Sequence, residues 1–262
     1  MATTIADSKL TRTSLEIEGR VARILLRNPP LNVIDIAMME ELSQALAEIE
    51  TRSHVSVIAL AGSGKAWSAG VDVAAHTPDR VEEMLTKFHA VVRALVATKK
   101  VTLAAVHGHC LGGGAELAMV CDIVYTAEDA HWGFPEIKLA CYPPVACAAL
   151  AALVGQKRAA DLILTGRSIS GNRAAGIGLA THSVPHQELS AKTDECVSQL
   201  LALSPAALAV TKKACYAWDA AHFDKGLARA EKIYFEDLMK TADAHEGIRA
   251  FMEKRAADWT GQ

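Results

Sequence analysis

The sequence predicts an α/β fold, and three observations lead there. Largely apolar runs of strand length lead into glycine loops and then into segments of helical spacing. This strand, glycine loop and helix order occurs twice, around Gly62-Ser63-Gly64 and around Gly112-Gly113-Gly114. Beyond Gly155 the apolar spacing becomes that of helices through the last third of the chain. With 262 residues, 51% of them hydrophobic, the chain is long enough to bury one large core, with or without a small appendage, and needs no cross-links.

Residues 15–17, a turn at Glu18-Gly19-Arg20 and the alternating run 21–27 read as a two-stranded start, stopped by Asn28-Pro29-Pro30. Apolar residues at 36, 38, 39, 42, 45, 46 and 49 predict a helix over 36–50 with Asp35 as its cap. A strand over 55–61 turns through Gly62-Ser63-Gly64-Lys65 into the loop 66–72. An amphipathic helix is expected over 78–97, a strand over 101–106, a helix beginning at Ala115, and short strands over 122–125 and 130–133. Further helices are expected over 157–165, 171–176, 188–203, 205–218, 225–239 and 243–259. A soft boundary near residue 200 divides 1–200 from 201–262.

The formal net charge is −3 with both signs interspersed, which leaves no electrostatic footprint for nucleic acid. Any phosphate must then be held by local basic residues. The longest nearly uncharged run, 139–155, contains Pro143 and Pro144 and is shorter than the roughly 20 apolar residues of a spanning helix, so no membrane span is expected. Residues 1–13 are polar, lack the marks of a secretory or organelle-targeting segment, and read as a frayed start. Cysteines 110, 121, 141, 147, 196 and 215 form no CxxC pair and are expected as reduced, buried thiols, so the cytoplasm fits best.

Glycine loops entering helices aim backbone N–H groups at an anion or a polarised carbonyl, or simply allow tight packing; the loops alone leave both readings open. Neither the P-loop ending nor the dinucleotide spacing is completed around Gly112-Gly113-Gly114. Glu116 falls in the first turn of an apolar helix, as a cap or as a functional carboxylate, and Glu136 follows Gly133-Phe134-Pro135 in similarly apolar surroundings. His107 and His109 with Cys110 offer two metal donors on an extended segment, but no companion pair appears, so no metal site is expected. GxSxG is absent, which removes Ser68 as the nucleophile of a hydrolase elbow.

The motifs Asn32, Ala66-Trp67-Ser68-Ala69-Gly70-Val71-Asp72, the segment from His107 through Gly112-Gly113-Gly114 to Ala118, Cys121-Asp122, Phe134-Pro135-Glu136 and Leu164-Thr165-Gly166 stand in a fixed order and spacing. In that pattern the chain resembles the crotonase (enoyl-CoA hydratase/isomerase) superfamily from about residue 15 to its end. The resemblance implies a spiral of repeated ββα turns over 1–200. It also implies a helical C-terminal region over 201–262 that forms trimers, which commonly pair as hexamers.

For function, the resemblance implies an acyl-CoA thioester as substrate, with coenzyme A part of that substrate and no separate cofactor. It implies an oxyanion hole at the Val71 and Gly113 N–H groups and hydration by two glutamates, Glu116 deprotonating water and Glu136 protonating the α carbon. A double-bond isomerase using one glutamate, or a binding protein of this fold, are the alternatives. Expected contacts to coenzyme A are Arg27, Ala69, Asp72, Phe235 and Lys254, the last from a neighbouring subunit. Trp67, Trp132, Tyr142 and Pro144 are candidate walls of the acyl pocket.

Two departures from the family pattern stand out. Val73-Ala74-Ala75-His76 replaces a basic residue after the first loop, and Pro144 occupies a place where a glycine amide usually faces the water, although proline has no N–H. The double proline and the stretch 31–39 look similar to cyclic dienoyl-CoA hydratases, which act on cyclohexa-1,5-diene-1-carbonyl-CoA.

Overall fold

The computed structural model describes residues 3–4, 10–216 and 220–261. Most of the start expected at 1–13 and the end of the helix expected over 205–218 lie outside the described residues. The elements in order are β1 (Thr3–Thr4), β2 (Thr13–Glu18), β3 (Val21–Leu26), α1 (Ile36–Thr51), β4 (Val57–Gly62), α2 (Val81–Ala97), β5 (Val101–Val106), β6 (His109–Leu111), α3 (Gly113–Met119), β7 (Ile123–Ala127) and β8 (His131–Gly133). There follow α4 (Pro144–Val154), α5 (Gln156–Thr165), β9 (Ser168–Ser170), α6 (Gly171–Ile177), β10 (His182–Val184), α7 (Leu189–Leu201), α8 (Pro205–Cys215), α9 (Ala220–Glu236) and α10 (Ala242–Met252).

Two sheets organise these elements. The larger has the order β1-β2-β3-β4-β5-β7-β10, antiparallel from β1 to β3 and parallel from β3 onward. The smaller has the order β6-β8-β9, and isolated parallel bridges at Ile34 with Val71 and Ser68 with Cys110 extend its pairing to earlier segments. Each turn of chain thus adds one strand to the large sheet, one short pairing to the second layer, and a helix: β5, β6 and α3, then β7, β8 and α4. The expected ββα spiral is this repeat. The central strand β5 is buried at every position, as a strand covered on both faces must be.

Local chemistry sets the element ends. Asp35 caps α1 by accepting the Met38 N–H at 2.8 Å. Asn32, at φ +51°, donates through Nδ2 to the Ser63 and Ala66 carbonyls and so ties the β3 exit to the loop after β4. Ser68 donates from Oγ to the Asn32 carbonyl and accepts the Gly70 N–H, so its hydroxyl is consumed in fixing the loop. The six cysteines are free thiols; four are buried as expected, whereas Cys147 and Cys215 are exposed.

The C-terminal helices pack back onto the core. The α9 helix lies against α4, and Glu231 on α9 accepts two hydrogen bonds from Arg93 of α2 at 2.9 and 3.0 Å and stands 2.7 Å from Nδ1 of the buried His89. The α10 helix ends at Met252 rather than near 259 because Lys254 takes a left-handed φ of +53°.

Candidate active site

A cavity of about 400 Å³ opens between the start of α3, the segment 69–76 and the short turn Pro135–Leu139, and it is bordered by Val71, Gly113, Glu116, Glu136, Tyr142 and Pro144 among others. Clefts of about 620 and 550 Å³ elsewhere are larger but contain neither glutamate, so chemistry rather than volume singles out this one.

Glu116 lies in the first turn of α3, is 3% exposed, and accepts the Ala146 N–H on Oε1 at 2.9 Å. The helix start favours a carboxylate there. Burial wins nonetheless and holds this carboxyl above the usual range, opposed only in part by the Ala146 and Val145 amides. Glu136 is half-buried as a residue, yet its Oε2 is fully buried with no hydrogen-bond partner among the described residues. Burial raises its pKa first, the neighbouring Glu116 charge adds to the rise, and its own amide opposes it. Two carboxyls that share one apolar cavity titrate as a pair, and ionising one makes ionising the other harder.

This pair carries a stability cost of definite sign. In the unfolded chain a glutamate titrates near pH ~4.3, whereas here both carboxyls titrate higher, so the folded state binds more protons and loses stability as pH rises above that value. Glu136→Gln is therefore expected to gain on the parent as pH is raised from about 5 to about 8, by a few degrees in Tm. Thermal melts across that range check it. A parallel pair of curves would mean that Glu136 stays ionised without cost.

The two residues to which the resemblance assigns amide donors, Val71 and Gly113, border the same cavity. Ile34 pairs with the Gly70 carbonyl and the Asp72 N–H, at 2.9 and 3.1 Å, which flank Val71 and leave its N–H outside the ladder. Gly113 is the first residue of α3, where helix N–H groups lack intrahelical partners. Neither N–H donates a hydrogen bond among the described residues. Glycine is required for this approach: a Cβ on residue 113 would stand 2.5 Å from Val71 Cγ2 and 3.5 Å from Val71 N. At Gly112, with φ +52°, a Cβ would stand 2.4 Å from Glu136 Oε1.

The remaining expected residues divide. Ala69, Tyr142 and Pro144 border the cavity. Trp67 and Trp132 do not: both are fully buried in the core, the first donating from Nε1 to the Gly114 carbonyl at 2.8 Å and the second to Thr126 Oγ1 at 2.9 Å. These indoles brace the α3 start and the β7–β8 turn, as large buried aromatics commonly do. The Asp72 carboxylate caps the short turn Val73–His76 by accepting the Ala74 N–H, outside the cavity lining. Arg27 is exposed away from the cavity and Phe235 packs on the core. Lys254 is exposed, and its N–H donates to the carbonyl of Phe251, which borders the cavity. Among the described residues no group of three or more His, Cys, Asp or Glu side chains is placed to hold a metal ion.

His76, Lys138 and Tyr234 also border the cavity and had not been singled out as site residues. His76 Nδ1 stands 3.0 Å from the Asp72 carbonyl, which can only accept, so that nitrogen carries the proton; burial lowers the imidazole pKa and favours the neutral ring. Tyr234 arrives from α9, where helical spacing gives no sign that a site lies beneath.

Residues 16–262 match the family model described as enoyl-CoA hydratase/isomerase. The chain is 36% identical over 247 residues to a cyclohexa-1,5-dienecarbonyl-CoA hydratase of Thauera aromatica, covering 94% of this chain and 95% of that one. It is 33% identical to a probable enoyl-CoA hydratase of Bacillus subtilis, covering 95% and 98%. The crystal structure of an enoyl-CoA hydratase from Mycobacterium avium subsp. paratuberculosis superposes with a TM-score of 0.87 at 26% identity, over 96% of this chain and 99% of that one. In sequence along its length and in the path of its backbone, the chain belongs to the enoyl-CoA hydratase/isomerase family.

Proposed function

We propose that the protein adds water across the α,β double bond of an acyl-CoA thioester. One observation carries this reading: two buried carboxyls and two unpaired backbone N–H groups border one cavity. The Val71 and Gly113 amides receive the thioester oxygen as it gains negative charge, each such donor being worth about 3 kcal/mol in the transition state. Glu116, ionised, takes a proton from water as the oxygen attacks the β carbon. Glu136, protonated, delivers its proton to the α carbon. The raised pKa values supply the one-proton state this division requires. Two carboxyls rather than one favour hydration over isomerisation.

The acyl group is a compact ring in this reading, of the cyclohexa-1,5-diene-1-carbonyl type. The 36% relative of Thauera aromatica supports it, as do the stiff walls made by Pro143, Pro144 and the ring pair Tyr142 and Tyr234. Coenzyme A enters as part of the substrate, with Ala69 at the cavity edge and Lys254 beside Phe251 as its nearest expected contacts.

Incubation with crotonyl-CoA and, separately, cyclohexa-1,5-diene-1-carbonyl-CoA in oxygen-18 water, followed by mass spectrometry, tests both levels. Labelled hydroxyacyl-CoA from the cyclic diene alone supports the full reading. Preference for crotonyl-CoA retains hydration and overturns the ring. Conversion without label, or none, overturns hydration.

A further inference from the structure

The cavity poses a question of donors that the two glutamates do not answer. A water molecule attacking carbon uses one lone pair for the new bond, directs its hydrogens at acceptors, and keeps a second lone pair that calls for a donor. The neighbouring backbone offers none. Pro143 and Pro144 have no N–H, and the next amides, Val145 and Ala146, are directed at Glu116.

The side chains around the cavity are also largely committed. Tyr142 donates its hydroxyl to the Ala230 carbonyl at 2.5 Å, Cys141 donates to Leu139, and His76 holds the Asp72 carbonyl. Lys138 is exposed. Tyr234 is different. It is 1% exposed, borders the cavity, and its buried hydroxyl has only the Cys141 thiol, a weak acceptor, beside it and no well-formed hydrogen bond among the described residues. The other unpartnered buried oxygen of this cavity is Glu136 Oε2. A buried hydroxyl left unpaired costs about 1–3 kcal/mol, a cost that a polar group bound between the walls would offset.

We propose that Tyr234 is a further catalytic residue, whose phenolic O–H donates to the water that Glu116 and Glu136 activate and so takes the place of the amide that Pro144 lacks. The inference rests on the hydratase reading given above. No proton leaves Tyr234 during the reaction: the water proton passes to Glu116, the oxygen lone pair forms the bond to the β carbon, and the phenol holds the second lone pair throughout. Burial, Cys141 and Glu136 all push the phenol pKa up, so the donor hydrogen is present across the working pH range. Its position is rigid. The ring meets Tyr142 edge-on at 5.1 Å, and α9 is tied to α2 through Glu231 three residues earlier.

Tyr234→Phe removes one oxygen and keeps the ring. The parent and variant are compared on whichever of the two thioesters the parent hydrates, by kcat, KM and Tm. The expected result is a fall in kcat of about 10-fold or more with KM within about threefold and Tm unchanged or higher, since an unpaired buried hydroxyl has gone. A kcat within twofold of the parent overturns the proposal, as does a fall accompanied by a Tm loss of several degrees, which marks a structural hydroxyl. A parent that hydrates neither thioester overturns the hydratase reading itself, a result that separates the two failures.

Discussion

Glu116→Gln and Glu136→Gln are each expected to lower hydration by at least ~100-fold while the protein still folds. The amide is nearly the shape of the carboxyl but neither accepts a proton from water nor delivers one to carbon. Because the two carboxyls share a cavity and interact by charge, their losses should not add: the double variant is expected close to the slower single one. Steady-state rates for the three variants, with Tm as the control for folding, check this. A single variant at the parent rate removes that glutamate from the reaction.

Gly112→Ala tests the same chemistry from the backbone side. The new Cβ must occupy a point 2.4 Å from Glu136 Oε1 at a residue with φ +52°. With φ +52° and ψ −129° the backbone lies in a region that L residues rarely adopt, at a cost to alanine of about 1–3 kcal/mol. The carboxyl must then move aside, and a displacement of about 1 Å at a reacting group typically costs on the order of 100-fold. The expected outcome is therefore a kcat reduced by that order with Tm lowered by only a few degrees. A kcat within threefold of the parent would show that the position of Glu136 is not set by this contact.

Much of this was legible in the chain because it is written locally. The strand β5 has the bounds expected for it from the sequence, and Asp35 caps α1 where the apolar spacing begins. Glu116 and Glu136 stand out because charges in apolar runs need a reason. What escaped is of three kinds. The helix α4 was hidden by the double proline, which reads as a stop; in the fold Pro144 is the first residue of the helix, where a missing N–H costs nothing. The strands β6, β9 and β10 have three residues each, too short for any period to register. Trp67 and Trp132 had the size of pocket walls, but partners for their indole N–H groups lay in the core, and Tyr234 reached the site only through the packing of α9. Tertiary partners, unlike spacing, leave no mark along the sequence.

The bridge between Ser68 and Cys110 reaches beyond the packing it serves. Ser68 N–H donates to the His109 carbonyl and Leu111 N–H donates to the Ser68 carbonyl, at 2.9 and 3.0 Å, so the segments bearing Val71 and Gly113 are locked as neighbouring strands. At that bridge the two backbones stand about 4.8 Å apart, the spacing set by main-chain hydrogen bonds rather than by side chains. Side chains on α3 and on the 135–139 turn can be exchanged above it while the backbone pairing stays as it is.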